Sequence, residues 1–396
     1  MAEESTFSRG YSGGIFEFDG RMGEDTFDEM LLWCSRNKAS EITVQSDLPV
    51  IAEIGGKIIK ITSRSIKVPE VEGVVRYIYG ENGPAEIKSG FDLDPSHEIK
   101  VSGGGRLRFR VNITGGRSIG GDGIQLSIRT LPEIPLDIRD LGVEQDIIDN
   151  FRPQKGMVLV TGPTGSGKST LLSSGIRMIL EQEDANEKMV EFSKPIEFVY
   201  DKVEMPSSTV FQSEVGSHLR PRGGSSHDEE GEFGYCVRNA LRRKPTIILI
   251  GESRDKATIQ ASVEAALTGH VLYSTMHTIG VAETLRRAVM PFPGDERRAM
   301  AIDILDTLRM VVTQILLPRE GGGMVGCREY LVFDDDVRRR LIDIDVDDWP
   351  KEIRKILEEG NCKGSSMADS ARKLLDKGEI SEERYRYLSN RHEGDD

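Results

Sequence analysis

The rhythm of hydrophobic positions divides this chain into blocks. Phe27, Met30, Leu31 and Cys34 recur three and four apart, which predicts a short amphipathic helix. Residues 40–44 and 49–54 read as strands around a Ser46-Asp47 turn, and Gly55-Gly56 turns the second into a strand at 57–61. A second helix is predicted over residues 68–78. Residues 106–113 and 125–130 read as paired strands joined by a loop over 114–123. This block, residues 25–130, is α+β because its strands meet through hairpins. Residues 1–24 are polar and Gly-rich and are expected to be flexible.

Residues 131–150 read as a linker, opened by Pro132 and Pro135, which keep the chain extended. The texture then becomes strand, helix, strand, helix. Short apolar runs lie at 158–160, 189–192, 209–212, 246–250 and 271–274, with helical stretches at 233–241 and 256–266. That alternation over residues 151–290 predicts an α/β domain with a parallel sheet. Residues 291–396 read as a helical C-terminal region. Within it, 297–316 carries Ile302, Leu305, Leu308, Val311 and Val312, and 367–388 is again helical. Charge blocks dominate 332–348, and the acidic tail from Arg391 is expected to be disordered.

Composition narrows the class. The 396 residues are 37% hydrophobic, enough for sizeable cores. A net charge of −14 argues against a general nucleic-acid-coating protein and disfavours sequence-specific nucleic-acid binding, since phosphate neutralisation needs local cation excess. No apolar run approaches the roughly 20 residues of a membrane span. The start, Met1-Ala-Glu-Glu, lacks the basic-then-apolar order of a signal peptide. Cys34, Cys236, Cys327 and Cys362 are far apart with no metal-ligand spacing, so reduced thiols in a cytosolic protein are expected.

The chemistry gathers after the apolar run that begins at Met157. Gly162, Pro163, Thr164, Gly165, Ser166, Gly167, Lys168 and Ser169 match the P-loop pattern, and Thr170 continues into a helix. The glycines let the backbone curl so that successive N–H groups face phosphate oxygens. The helix that follows adds its unpaired N–H groups and positive dipole end. Lys168 is expected to reach the β- and γ-phosphates of ATP, and Ser169 to ligate Mg²⁺. The strand at 246–250 runs into Gly251 and Glu252, the form of a Walker B segment, whose carboxylate can hold a Mg²⁺-bound water or polarise the attacking water. His270 and His277 stand seven apart across a short strand without a third ligand at zinc spacing. A neutral histidine at a strand end could instead hydrogen-bond a γ-phosphate.

These motifs occur in the order found in the PilT-like ATPases of the type II/IV secretion superfamily, which the chain resembles over residues 25–335. The P-loop stands as their Walker A, Pro195-Ile-Glu197 as the Asp box, Gly251-Glu252 with Arg254 and Asp255 as Walker B, and Thr268-Gly-His270 through His277-Thr278 as the His box. The likeness extends to Arg106–Asn112, to Leu126–Pro132 and to Leu308–Pro318. Phe192–Tyr200 and Gln212–Val215 look most like the DotB/TraJ branch, the ATPases of Dot/Icm secretion and conjugative plasmid transfer. Retraction ATPases usually carry Glu-Asp before Pro-Ile-Glu, where this chain has Ser193 and Lys194.

The resemblance implies a RecA-like P-loop core, an N-terminal PAS-like domain and a cytoplasmic ring homohexamer that reaches the inner membrane through a secretion or conjugation complex. Glu197 would act on the nucleophilic water, with His270 and His277 near the γ-phosphate. Arg117 and Arg129 match the family's sensor arginines, one of which would act across a subunit boundary. An external arginine helps because Lys168 and Mg²⁺ only partly balance the transferring phosphoryl's charge. Three other readings stand beside this one: a hexameric nucleic-acid translocase, a pilus retraction motor, against which Ser193 and Lys194 count, and a nucleotide-switched subunit without turnover, against which Glu197 and Glu252 argue.

Overall fold

The computed structural model describes residues 14–101, 105–221 and 231–389. Most of the stretch expected to be flexible, residues 1–13, and the tail from residue 390 lie outside them. The chain forms two compact units, Met1–Glu133 and Ile134–Asp396.

In the first unit the elements run α1 (Glu24–Arg36), β1 (Ala39–Gln45), β2 (Ile51–Ile54), β3 (Lys57–Lys60), α2 (Val68–Tyr79), α3 (Gly83–Lys88), β4 (Ser96–Val101), β5 (Gly105–Ser118) and β6 (Gly121–Leu131). The six strands form one antiparallel sheet in the order β3-β2-β1-β6-β5-β4. Phe27, Met30, Leu31 and Cys34 bury one stripe of α1, and alternate residues of β1 and β6 face the same core.

One expectation fails here. The Gly-rich stretch 114–123 is not a loop; β5 and β6 stay paired out to Ser118 opposite Gly121. Its glycines serve close approach. A Cβ on Gly123 would lie 2.7 Å from the Ser118 Cβ and 2.9 Å from that of Ser46.

The second unit opens with a short 3₁₀ turn, Ile138–Leu141, and α4 (Gln145–Asn150). Then follow β7 (Gly156–Thr161), α5 (Lys168–Leu180), β8 (Lys188–Ser193), β9 (Thr209–Glu214), α6 (Glu232–Leu241), β10 (Ile247–Ile250), α7 (Lys256–Leu267), β11 (Val271–Met276), α8 (Val281–Val289) and α9 (Gly294–Thr307). The chain closes with β12 (Leu308–Pro318), β13 (Met324–Val332), α10 (Asp335–Ile342), α11 (Trp349–Glu359), β14 (Gly364–Ser365), α12 (Met367–Asp376) and α13 (Glu382–Ser389). Eight strands lie in the order β14-β13-β12-β7-β11-β10-β8-β9. From β12 to β9 neighbours run parallel, and β13 and β14 add an antiparallel edge. Helices cover both faces, so β7, β10 and β11 are buried at every position and read as mostly apolar runs without alternation.

The helix expected over 297–316 is corrected. It ends at Thr307, whose hydroxyl donates to the Asp303 and Ile304 carbonyls, and residues 308–318 form β12 beside β7. A strand buried on both faces carries no period of two, so its apolar run extends the helical spacing of Ile302 and Leu305 by coincidence. Among the described residues the region still contributes five α-helices, α9 to α13.

Packing behind the P-loop helix is close. Gly175 in α5 leaves room for the Phe151 ring, which a Cβ there would meet at 2.2 Å. Phe151 in turn stacks on Tyr273 of β11, whose hydroxyl donates to the Phe151 carbonyl at 2.7 Å. Helix α5 is thereby seated on the sheet through two aromatic rings.

Candidate active site

The centre of the second unit is the turn from β7 into α5. Gly162, Gly165 and Gly167 all take positive φ (142°, 77° and 77°), a backbone that side chains resist. Gly162 also needs the space, since a Cβ there would lie 2.2 Å from the Gln314 carbonyl oxygen. Gly167 caps α5, and the first N–H groups of that helix have no partner within it. The Ser166 hydroxyl is buried without a hydrogen bond. A curled backbone, free helix N–H groups and a buried cation together fit a phosphate chain.

That cation is Lys168. Its Nζ donates to the carbonyls of Gly162 at 2.8 Å and Pro163 at 2.9 Å, contacts a phosphate oxygen could take over. Burial pushes the ammonium below its ordinary pKa, and the charges of Glu197 and then Glu252 oppose that shift. Both carboxylates therefore lie within electrostatic reach of Lys168. Ser169 and Thr170 occupy the first turn of α5, half-buried.

Glu197 sits in the segment after β8, and buried polar groups pin that segment on either side of it. Glu191 accepts the Ser193 hydroxyl at 2.6 Å and the Gln212 amide at 2.7 Å. The same Gln212 amide donates to the Phe198 carbonyl at 2.7 Å, and its oxygen accepts the Tyr200 N–H at 3.3 Å. Glu191 and Gln212 face each other in register on β8 and β9. Gln212 opens the Gln212–Val215 stretch noted for its likeness, whereas Glu191 lies in no recognisable motif. A buried acid in an otherwise apolar strand is the signal that could have found Glu191.

Glu252 follows β10, and its Oε1 lies 3.8 Å from the Nε2 of His277 at the end of β11. Buried hydroxyls join this side of the site to the P-loop strand. Thr278 contacts Thr284 at 2.7 Å, Thr284 lies 3.4 Å from Thr161, and Thr161 contacts Thr313 at 2.7 Å.

His270 does not join them. It precedes β11 whereas His277 follows it, so six strand residues put them about 20 Å apart. Its Nδ1 lies 3.1 Å from the Ala265 carbonyl and 3.2 Å from the Thr268 hydroxyl, at the C-terminal end of α7. Its expected place near the γ-phosphate is thus corrected. His270→Ala should leave ATP turnover within about twofold and cost about 1 kcal/mol of stability, the scale of one hydrogen bond. Phosphate release and a thermal melt check this, and a hundredfold loss of rate in a folded variant would contradict it.

Arg117 and Arg129 belong to the first unit. Arg129 is exposed on β6, 3.3 Å from Glu41. Arg117 is exposed near the β5–β6 tip, opposite Asp122, beside a cleft of about 640 Å³.

The arrangement can hold the phosphate chain of a nucleotide, with two carboxylates within electrostatic reach of the cation beside it. Comparison with known proteins points to ATPases. The family described as "Type II/IV secretion system protein" matches residues 94–358. The type IV pilus retractation ATPase PilT of Pseudomonas aeruginosa is 29% identical over 359 residues, covering 90% of this chain and 96% of that protein. Among solved structures, the Legionella pneumophila ATPase DotB superposes with a TM-score of 0.85 at 41% identity, over 95% of this chain and 98% of that one. The pilus retraction motor PilT with bound ADP superposes with a TM-score of 0.75 at 26% identity, covering 91% of this chain and 96% of that one.

Proposed function

The chain belongs to the Type II/IV secretion system protein family, and from that premise we propose that it is the hexameric ATPase of a type IV secretion or conjugation machine. In this reading ATP hydrolysis powers substrate transfer or assembly at the cytoplasmic side of an inner-membrane complex. The observation that carries it is the likeness to DotB along nearly the whole of both chains.

The chemistry is attack of water on the γ-phosphate of Mg–ATP, in line with the leaving ADP oxygen. Lys168 and the α5 N–H groups would hold the phosphates, and Ser169 and Glu252 would hold Mg²⁺, which would offset charge on the phosphates. Glu197 orients the attacking water and takes its proton. His277, 3.8 Å from Glu252, would read the γ-phosphate. An arginine of the first unit, Arg117 or Arg129, would serve the site of a neighbouring subunit.

A pilus retraction motor is the second reading, supported by the PilT match over 90% of this chain. The segment before Glu197 favours secretion or conjugation. Where retraction ATPases usually carry two acids, the Ser193 hydroxyl donates to buried Glu191, and the Lys194 ammonium pairs with Glu232 at 3.2 Å.

Subunit mixing tests the ring. An Arg129→Ala subunit keeps its P-loop, and a Lys168→Ala subunit keeps its arginine. A mixed ring therefore contains some boundaries where both groups are intact. Phosphate release should rise severalfold above either variant alone, with sedimentation confirming that both assemble and exchange. Assembly should also tighten with Mg–ATP, as for any ligand that favours the assembled state. Full-rate hydrolysis by a protein that stays monomeric in saturating Mg–ATP would count against the ring. The same mixing with Arg117→Ala tells the two arginines apart.

A further inference from the structure

The edge of the sheet beside the P-loop holds a buried cation that the chemistry above does not use. Arg328 of β13 is 2% exposed, and its guanidinium donates in three directions. Nε reaches the Gln314 Oε1 at 2.7 Å. One terminal nitrogen donates to the Gly142 carbonyl at 3.1 Å and the Glu144 carboxylate at 3.2 Å. The other donates to the Leu141 carbonyl at 3.0 Å. Gly326, two residues earlier on the strand, leaves room for the fork, since a Cβ there would lie 2.5 Å from a guanidinium nitrogen.

Gln314 stands opposite Arg328 in the β12–β13 register and is 3% exposed. Its Nε2 donates to the Ser166 carbonyl at 2.7 Å. Arginine offers donors alone, and a carbonyl accepts alone. A single amide orientation therefore satisfies both partners, and Arg328 selects it.

The consequence follows from peptide planarity. In a trans peptide the C=O of one residue and the N–H of the next point in opposite directions. Holding the Ser166 carbonyl toward Gln314 aims the Gly167 N–H the other way, into the curl that receives phosphate. Gly167 at φ 77° is free to let that peptide turn over, because no Cβ resists the motion. A flipped peptide would present a carbonyl oxygen where a phosphate oxygen has to sit.

We propose that Gln314 and Arg328 are positioning residues for ATP binding. Gln314 locks the Ser166–Gly167 peptide in its phosphate-accepting orientation, and Arg328 holds Gln314 while tying it to the turn at Leu141–Glu144. That turn closes the segment that enters the second unit at Ile134, so a pull on the segment reaches the phosphate loop through two side chains. Lysine cannot replace Arg328, because one ammonium lacks the planar fork that spans these acceptors. The inference rests on the ATPase reading and adds a control point to it.

The test is a double-mutant cycle on the full chain, read by titration with a fluorescent ADP analogue and by steady-state hydrolysis. Gln314→Met keeps the volume and removes both hydrogen bonds. It should weaken analogue binding about tenfold, the scale of a buried carbonyl left without its donor. KM for ATP should rise by a similar factor while kcat changes less than about threefold, since Lys168, Glu197 and Glu252 are untouched. Arg328→Lys should weaken binding comparably in the wild-type background and add nothing once Gln314 is Met, because it acts through that amide. Near-UV circular dichroism shows whether each variant is folded. If Gln314→Met is not, Gln314→Glu replaces it, keeping an oxygen for Arg328 but facing the Ser166 carbonyl with a second acceptor. If Arg328→Lys is not, the Gln314 variant decides alone. A folded Gln314 variant that binds as tightly as wild type, or additive losses in the cycle, would overturn the inference while leaving the ATPase reading intact. A wild-type protein that binds no nucleotide would overturn both.

Discussion

Lys168→Ala should abolish ATP hydrolysis and leave the fold standing. The Lys168 Nζ hangs between two carbonyls of the phosphate loop, within electrostatic reach of both Glu197 and Glu252. In phosphoryl transfer, catalysis is almost wholly positioning and charge stabilisation, and a single cation on the transferring group is worth about 10³–10⁵-fold. A loss of at least about 10³ is therefore expected here. The fold should survive because Lys168 binds only carbonyls of its own loop, and burial already disfavours its charge. Phosphate release gives the rate, and thermal melts give an independent reading. Saturating Mg–ATP should raise the wild-type melting temperature, since a ligand that binds the folded state stabilises it, and should raise the variant's less. Near-wild-type turnover in a folded Lys168→Ala protein would remove the phosphate loop from the mechanism.

What can be read from the chain before its structure depends on how local the governing physics is. The β7–loop–α5 element is legible because strand, glycines, cation and helix occupy one continuous run from Gly156 to Leu180. Helix α1 is legible because one face alone is buried, so its period survives in the sequence. Strand β12 is not, because both of its faces are covered and the run carries no alternation. The β5–β6 tip misleads for a different reason. Glycines at 115, 116, 120, 121 and 123 suggest a loop, whereas close strand approach also demands glycine, and the two demands look alike in sequence.

The supporting shell of the site is the least legible part. Glu191 meets Gln212 across neighbouring strands, and Ser166 meets Gln314 at a separation of 148 residues. No spacing rule reaches that far. His270 shows the converse error: a seven-residue interval looks close in sequence yet spans the whole of β11, so the two histidines face opposite ends of the sheet. Nearness along a strand is a poor guide to nearness at a site, because the strand rises about 3.3 Å with each residue.

Glu197→Gln should separate binding from chemistry more cleanly than any other single change in the site. Glutamine keeps the size and one oxygen acceptor but removes the negative charge and the basicity. A general base in this position contributes about 10²–10⁴-fold, so kcat should fall by at least about 10². ATP affinity should hold or improve, because a carboxylate close to Lys168 also stands close to the γ-phosphate and repels it. The gain should be larger for ATP than for ADP, whose charge ends one phosphate further away. The Glu191–Gln212 clamp leaves the backbone around residue 197 in place, so the loss falls on the transition state rather than on the loop. Glu252→Gln provides the contrast. If that carboxylate holds Mg²⁺ or its water, the variant's rate should recover in part as Mg²⁺ is raised, and the Glu197→Gln rate should not. Titration with a non-hydrolysable ATP analogue and single-turnover phosphate release supply both quantities. A Glu197→Gln protein that hydrolyses ATP at the wild-type rate, or that no longer binds the analogue, would move the water-activating role to another residue, with Glu252 the first to examine.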